Sequence, residues 1–179
     1  YKAICNVHTG LYFGNQVDEK EYSSLVEKRD FARAYQLEKS EKYFHWELEF
    51  PEVFFGALSN ICIIGNPPWG GELNDTEKKY FSTVFSNVHM RTPDTCNYFL
   101  ANAFIIGSKV EEGIIGAITS ANFLFQYEFS KSRKFFLENA FFQKVINLGD
   151  SVFSATAPSS IEIISCGRRK ASKSIQVLD

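Results

Sequence analysis

The alternation of hydrophobic and polar residues divides the chain into a helical first part and a mixed remainder. Residues 1–42 contain no proline, have glycine only at Gly10 and Gly14, and interleave charged with apolar residues. This pattern is typical of amphipathic helices and predicts an N-terminal lobe of two helices that break near Gly14. Residues 43–59 are dense in aromatic and acidic side chains. Because Pro51 interrupts regular structure there, we predict an extended connector.

From residue 60 onward, short apolar runs alternate with segments of helical periodicity. We predict buried strands at 61–64, 114–119, 144–148 and 160–166, and helices at 75–88, 97–110 and 129–139, with Gly113 as the cap of the second helix. Strands that alternate with helices indicate βαβ units around a parallel sheet. Too few residues separate the final two strands for a crossover helix, so we expect them to be antiparallel neighbours. For the tail from residue 167 onward we predict no regular structure.

The composition indicates one hydrophobic core with an added lobe. Of the 179 residues, 45% are hydrophobic and 22% are charged, which is enough apolar material to bury such a core. The chain begins at Tyr1 and its single methionine is Met90, so we expect it to be part of a longer protein. With a formal net charge of −2, the chain has no overall positive potential. Other parts of the longer protein would therefore make most of the contacts with any nucleic acid.

The sequence lacks the signals of membrane, secreted and metal-binding proteins. No apolar run approaches the ~20 residues that cross a bilayer, and the N-terminus lacks the apolar core of a signal peptide. The four cysteines are far apart in the sequence, as expected for reduced thiols in the cytoplasm. His8, His45 and His89 share no metal-ligand spacing, so no metal site is predicted. Ser159 and Ser160 lack the glycines that flank an activated nucleophile, and we interpret them as loop residues.

The most informative segment is NICIIGNPPWGG at residues 60–71, where a predicted strand runs into Asn66, Pro67, Pro68 and Trp69. Ligands of open α/β sheets bind just beyond the carboxyl ends of the strands, and Asn66 lies at that place. Its amide oxygen and the carbonyl of Pro67 form a rigid, acceptor-rich corner. Two acceptors on one planar amino group would draw its lone pair out of conjugation, and Trp69 offers a face on which a heterocycle can stack. The segment therefore predicts a site that makes a planar amine nucleophilic.

NPPW resembles the Asn-Pro-Pro-aromatic motif of methyltransferases that use S-adenosylmethionine to methylate the exocyclic amine of adenine in DNA. The surrounding segments look like the large adenine methyltransferases of restriction-modification (type IIG-like) and phage-defence systems: FHWELEFPEVF, NYFLANAF, GIIGAITSANFL, KSRKFFLENAFFQKVINLGDSVF and SIEIIS, in that order. The resemblance implies an α/β fold, with a partial Rossmann-like methyltransferase sheet, an N-terminal helical lobe and an antiparallel last strand. It also implies double-stranded DNA as the partner, and recognition and nuclease domains that are fused or separate.

The resemblance assigns roles to individual residues. The catalytic residues would be Asn66, Pro67, Pro68 and Trp69. A flipped adenine would lie between Trp69 and a second aromatic wall, which matches Phe153 in the loop between the last two strands. Asn66 and Phe99, which is early in the helix before the second strand, would contact the cofactor S-adenosylmethionine.

This chain departs from the family's sequence pattern at two places, one in the target-base site and one in the cofactor site. The family commonly has tyrosine where this chain has Trp69, which keeps the stacking face and replaces the hydroxyl with an indole donor. The glycine-rich loop and the acidic residue that hold the cofactor are absent before Ile61. We therefore expect residues 60–179 to be the catalytic half of a methyltransferase domain, preceded by the lobe at 1–42 and the connector at 43–59, and inactive alone. An open sheet edge would then favour self-association.

Two alternatives stay open at this level. Enzymes that methylate RNA or a protein glutamine share the Asn-Pro-Pro-aromatic corner, although the helical lobe and the FHWELEFPEVF segment favour the DNA enzymes. The chain could instead be a non-catalytic scaffold or recognition module of the same fold, which the missing cofactor loop favours.

Overall fold

The computed structural model describes residues 1–38, 43–56, 58–150, 152–153, 157–167 and 175–178. The chain divides into two compact units: unit 1 is Tyr1–Pro51 with Asp75–Tyr80, and unit 2 is Glu52–Asn74 with Phe81–Asp179. Among the described residues, no helix has the length and hydrophobicity needed to cross a membrane. In the same ranges, no three or more metal-ligating side chains gather in one place.

Unit 1 is a small helical core. Its helices are α1 Lys2–Tyr12, α2 Glu19–Lys28, α3 Phe31–Leu37 and α4 Trp46–Glu49. The buried side chains that form its centre are Ile4, Val7, Val17, Leu25 and Ala34. The predicted break near Gly14 is confirmed, and Gly14 has a φ of 82° there. The prediction of only two helices was wrong, because the second one is itself divided.

The second break in the lobe lies at Arg29, where no glycine or proline marks it. Arg29 adopts a φ of 51°, in the left-handed region, and ends α2. Asp30 then caps α3, since its carboxylate accepts a hydrogen bond from the Arg33 backbone N–H at 3.0 Å. Asp18 caps α2 through the Glu21 N–H in the same way. Aspartate caps therefore begin both helices, and they were the available sequence signal.

The extended connector predicted for residues 43–59 was wrong, because two short helices occupy much of it. After α4, helix α5 spans Pro51–Phe54. Proline suits the first position of a helix, since its missing N–H would have no partner there and its φ is already helical. Pro51 therefore begins regular structure instead of interrupting it.

Unit 2 is an α/β arrangement on a five-stranded sheet. The strands are β1 Asn60–Gly65, β2 Glu112–Ser120, β3 Phe141–Gly149, β4 Ser159–Ser165 and β5 Gln176–Leu178. The helices are α6 Asp75–Val84, whose first residues belong to unit 1, α7 Thr95–Gly107, α8 Asn122–Phe125 and α9 Ser130–Asn139, with a 3₁₀ turn at Tyr127–Phe129. The predicted strands and long helices are all present, whereas α8 and β5 were not predicted.

The strand order is β1-β2-β4-β3-β5. β1 and β2 are parallel, as are β3 and β5, and β4 runs antiparallel to both of its neighbours, β2 and β3. The α/β class, the mostly parallel sheet and the antiparallel pairing of the strands around residues 144–148 and 160–166 are confirmed. Ser159 and Ser160 are fully buried at the start of β4. Their interpretation as loop residues was wrong: the strand predicted at 160–166 already included Ser160, and pairing on both sides extends it to Ser159.

The sheet has one buried face and one open face. On the buried face, Ile115, Ala117 and Ile164 join a core with Leu100 of α7 and Phe136 of α9. The opposite face carries isoleucines at alternate positions that are only half-buried or exposed: Ile64, Ile114, Ile118, Ile146, Ile161 and Ile163. The first strand was predicted to be buried, yet Ile64 is 82% exposed. That part of the prediction was wrong because Ile64 lies on the open face of the sheet and, among the described residues, β1 is also an edge strand with a neighbour on one side only.

Gly113 belongs to β2 and pairs with Ile61, so its prediction as a helix cap was wrong. Helix α7 ends earlier, at Gly107. A Cβ atom on residue 113 would lie 2.2 Å from the carbonyl oxygen of Gly107. Glycine is therefore required by the close approach of the strand to the end of the preceding helix.

Replacing Gly113 with alanine is expected to destabilise the chain by about 2 kcal/mol, because the strand or the helix end must shift to admit the methyl group. Chemical denaturation of the 179-residue chain measures the loss. Gly116→Ala is the matched control, since it lies on the same strand and a Cβ there meets nothing within 4 Å. Equal stabilities of the two variants would contradict the close-approach explanation.

Candidate active site

The NPPW segment, residues 66–69, lies at the carboxyl edge of the sheet. β1 ends at Gly65, and Asn66 is the next residue. Because β1 and β2 are parallel, β2 ends at the same edge, at Ser120, and the antiparallel β4 begins there at Ser159. The segment is therefore placed where open α/β sheets bind their ligands.

Two hydrogen bonds hold the second half of the NPPW segment. The Thr95 hydroxyl donates to the carbonyl oxygen of Pro68 at 2.8 Å. The Trp69 indole N–H donates to the carbonyl oxygen of Ile118, in β2, at 3.4 Å, and the Trp69 ring packs against the main core of unit 2. Neither Thr95 nor Ile118 was predicted as a partner, since both are distant in the chain and Ile118 contributes only its backbone.

The first half of the NPPW segment presents acceptors. Asn66 is exposed and Pro67 is half-buried. Among the residues that the structure describes, neither the Asn66 amide nor the Pro67 carbonyl has a hydrogen-bond partner. The corner is thus divided into anchored groups, at Pro68 and Trp69, and available acceptors in the two residues before them. This arrangement suits a ligand that brings two N–H donors.

The structure brings Trp69 and Phe153 together. Their ring centroids are 5.8 Å apart and the ring planes meet at 84°, an edge-to-face contact. A base held between them would need two roughly parallel faces separated by the thickness of one ring. Binding of a base in the predicted manner therefore requires one of these rings to turn or to move away from the other.

Phe99 lies apart from this pair. It is in the second turn of α7 and is 55% exposed, whereas its neighbour Tyr98 is buried and stacks on Phe81 at a centroid distance of 4.3 Å. Within the described ranges, no hydrogen bond or ring contact joins Phe99 to the NPPW segment. An exposed phenylalanine is available for a ligand, and its assignment to a cofactor stays a prediction.

A buried polar cluster lies on the buried face of β2 and β4, near the same edge. The Glu162 carboxylate is fully buried and accepts hydrogen bonds from Ser160 Oγ at 2.6 Å and Thr119 Oγ1 at 2.9 Å. Burial raises the pKa of Glu162 to about 7, although the two hydrogen bonds oppose the rise. Thr119 directly follows Ile118, whose carbonyl holds Trp69, so the cluster supports the same stretch of β2. The cluster was not predicted, although a carboxylate in the middle of SIEIIS was an available signal.

These residues fall within a known family. The model of the Eco57I restriction-modification methylase family matches residues 5–153, a range that includes the NPPW segment, Thr95 and Phe153. The chain belongs to the Eco57I restriction-modification methylase family. The predicted resemblance to restriction-modification methyltransferases is confirmed.

This Eco57I family member is similar in sequence to a known protein and in fold to solved structures. It is 29% identical over 150 residues to a Methanocaldococcus jannaschii protein named as a type II restriction enzyme and methyltransferase. That match covers 82% of this chain and 12% of the relative, so the chain spans a small part of the relative's length. Two solved structures share the fold. One is from a type I restriction-modification system, with a TM-score of 0.52, 16% identity, and coverage of 65% of this chain and 23% of that chain. The other is from the DrdV–DNA complex, with a TM-score of 0.50 and 15% identity. That match covers 66% of this chain and 14% of the other chain.

Membership of the Eco57I family establishes the class of protein and leaves the individual site residues as predictions. The site residues predicted from the sequence are Asn66, Pro67, Pro68, Trp69, Phe99 and Phe153. The structure places four of these in one segment and Phe153 against that segment through Trp69.

Proposed function

We propose that the full-length protein containing this chain methylates the exocyclic amine of adenine in double-stranded DNA, and that this chain supplies the corner that holds the target base. The observation that carries the proposal is the division of the NPPW segment into anchored and available groups. Pro68 and Trp69 are held by Thr95 and by the Ile118 carbonyl. The acceptors of Asn66 and Pro67 are left available for a substrate.

The chemistry of these acceptors fits an amine with two hydrogens. The Asn66 amide oxygen and the Pro67 carbonyl would each accept one N–H of the adenine amine. Holding both hydrogens draws the nitrogen lone pair out of conjugation with the ring, so the nitrogen becomes nucleophilic without a base to deprotonate it first. S-adenosylmethionine, when bound, would supply an electrophilic methyl group, whose bond to the sulfonium sulfur breaks so that the cofactor leaves as a neutral thioether. The methylated amine loses its extra proton afterwards.

Two aromatic rings would hold the base itself. Extruding a base from a duplex costs a few kcal/mol, and stacking on an aromatic ring contributes about 1–3 kcal/mol per base. Trp69 and Phe153 together are therefore sufficient to offset extrusion once their rings lie on either side of the base. The Trp69 indole is hydrogen-bonded to Ile118 and its ring packs against the main core of unit 2, so we assign the necessary movement to Phe153.

The described residues fit one part of a cofactor site. Asn66 and the exposed ring of Phe99 are what this chain would bring to S-adenosylmethionine. Among the described residues, β1 has a strand partner on one side only, and no glycine-rich loop precedes it in the sequence. The other part of the site would come from elsewhere in the full-length protein, which fits a relative of which this chain matches 12%.

The partners follow from the same reasoning. With a formal net charge of −2, this chain would leave most DNA phosphate contacts to other domains, either fused to it or on separate subunits. The open edge of β1 would also allow the isolated chain to self-associate. Four free cysteines fit a location in the cytoplasm, where thiols stay reduced.

A methyl-transfer assay on the full-length protein tests the proposal. S-adenosylmethionine with a labelled methyl group is offered with double-stranded DNA, RNA or a glutamine-containing peptide, and the labelled product is digested and identified. We expect label at adenine N6 of DNA only. Label in RNA or in the peptide would replace the proposed substrate, and no label in any of the three would support a scaffold of the same fold.

Calorimetric titration of S-adenosylmethionine tests the division of the cofactor site. We expect the full-length protein to bind it and the 179-residue chain not to bind it. Tight binding by the 179-residue chain would contradict the proposal that the main part of the site lies outside the chain.

A further inference from the structure

Thr95 makes the shortest hydrogen bond to the NPPW segment that the described residues show. Its hydroxyl lies 2.8 Å from the Pro68 carbonyl oxygen, whereas the Trp69 indole bond to Ile118 spans 3.4 Å. We infer that Thr95 is a positioning residue for the base-binding corner, which sets where Trp69 stands relative to the acceptors of Asn66 and Pro67. The inference rests on the proposed function for its catalytic consequence, and on geometry alone for the anchoring.

The two prolines explain how one hydrogen bond can have this effect. The ring of each proline fixes φ near −65°, and neither peptide bond of the pair is cis. Between the plane of the Pro67 carbonyl and the Cα of Trp69, the only soft torsion left is therefore ψ of Pro68. A hydrogen bond to the Pro68 carbonyl oxygen restrains that torsion directly. Thr95 thus fixes where the Cα atom of Trp69 stands relative to the Pro67 carbonyl.

Gly71 makes the close contact with Thr95 possible. A Cβ atom on residue 71 would lie 2.8 Å from both Thr95 Cγ2 and Thr95 Oγ1. Any larger residue would push the segment away from Thr95 or displace its hydroxyl. The second glycine of NPPWGG therefore acts with Thr95, which gives this glycine a role that the motif alone does not explain.

Thr95 itself is held firmly. It is the first residue of α7, and Asp94 caps that helix by accepting a hydrogen bond from the Cys96 N–H at 2.8 Å. Leu100 of the same helix is in the main core of unit 2. The hydroxyl is thus presented from a rigid element, as a positioning group requires.

Fluorescence of Trp69 tests the anchoring without any need for catalysis. The chain has two tryptophans, Trp46 and Trp69, so Trp46→Phe leaves Trp69 as the only reporter in the 179-residue chain. In that background we expect Thr95→Val, which keeps the shape and removes the donor, to raise acrylamide quenching of Trp69 about twofold. Thr95→Ser, which keeps the donor, and Thr92→Val, at an exposed threonine on the same approach to α7, should both match the parent.

Gly71→Ala is the second variant, in case Thr95→Val affects folding. Melting temperatures of all variants are measured alongside. Gly71→Ala keeps threonine at position 95 and displaces either the segment or the Thr95 hydroxyl, so we expect it to raise Trp69 quenching in the same direction. The double variant should be non-additive, since both changes remove the same contact. Quenching that stays at the parental value in both folded single variants would overturn the inference.

Kinetics of the full-length protein test the catalytic consequence. We expect Thr95→Val to lower kcat about tenfold with KM for DNA little changed, and Thr95→Ser to restore kcat. Equal kinetics for Thr95→Val and the parent enzyme would overturn the positioning role. Raised Trp69 quenching in a protein that methylates none of the three substrates would support the anchoring and overturn the proposed function, so the two failures are distinguishable.

Discussion

Replacing Asn66 with alanine in the full-length protein is expected to lower methyl transfer to DNA about a thousandfold while the fold is retained. Removing one preorganised hydrogen-bonding group from a catalytic site typically costs 10² to about 10³ in kcat. Asn66 is exposed and has no hydrogen-bond partner among the described residues, so its loss should change the free energy of unfolding by less than about 0.5 kcal/mol. Single-turnover methylation and chemical denaturation measure the two quantities.

Asn87→Ala is the matched control for this experiment. Asn87 is also exposed and lies in the turn that follows α6, and neither of the two hydrogen bonds that hold the NPPW segment involves it. It should leave both activity and stability unchanged. Full activity of Asn66→Ala would remove the role assigned to the Asn66 amide, whereas inactivity of both variants would indicate that the assay reports on something other than this corner.

Replacing Glu162 with glutamine is expected to raise the free energy of unfolding at pH 8 by about 3 kcal/mol more than the same replacement does at low pH. Burial raises the pKa of Glu162 from 4.5 to about 7, so the folded state holds a proton more tightly than the unfolded state does. The favourable contribution of the neutral carboxyl is complete below pH 4.5 and is lost as the pH rises through about 7. Each pKa unit corresponds to about 1.4 kcal/mol, which gives the stated magnitude.

Glutamine at position 162 removes the titration and keeps groups that can bond to Thr119 and Ser160. The difference in unfolding free energy between the variant and the parent should therefore grow from pH 5 to pH 8 and level off above that. Glu128→Gln, at an exposed glutamate, is the control for the chemical change from carboxylate to amide. A difference for Glu162→Gln that does not change with pH would contradict the raised pKa of this group.

The elements of unit 2 were largely predictable because their signals are local. The apolar, β-branched runs of β1 and β2 and the helical periodicity of α7 each lie within one contiguous segment. The missed features depend on partners that are distant in the sequence. In the local sequence Gly113 resembles a helix cap. Only its pairing with Ile61 and its closeness to Gly107 show that it belongs to a strand. In the local sequence Ser159 and Ser160 resemble loop residues, and only their pairing with β2 and β3 shows that they belong to a strand.

The candidate site divides in the same way. Asn66 and Trp69 could be identified because a contiguous motif contains them, and Phe153 because the resemblance supplied a position for it. Thr95 and Ile118 carry no local signal, since a threonine at a helix start and a backbone carbonyl in a strand are ordinary features. Their importance comes from the two hydrogen bonds that they make to a segment far away in the chain.

The sequence by itself determined the class of this protein, the order of its main strands and helices along the chain, and the motif that carries its proposed chemistry. These follow from local periodicity and from a short set of residues that are adjacent in the chain. Only the tertiary structure decided that β4 lies between β2 and β3, that Glu162 is buried, and that Thr95 anchors Pro68. Each of these depends on contacts between residues that are distant in the sequence, and such contacts exist only once the sheet has formed and the helices have packed against it.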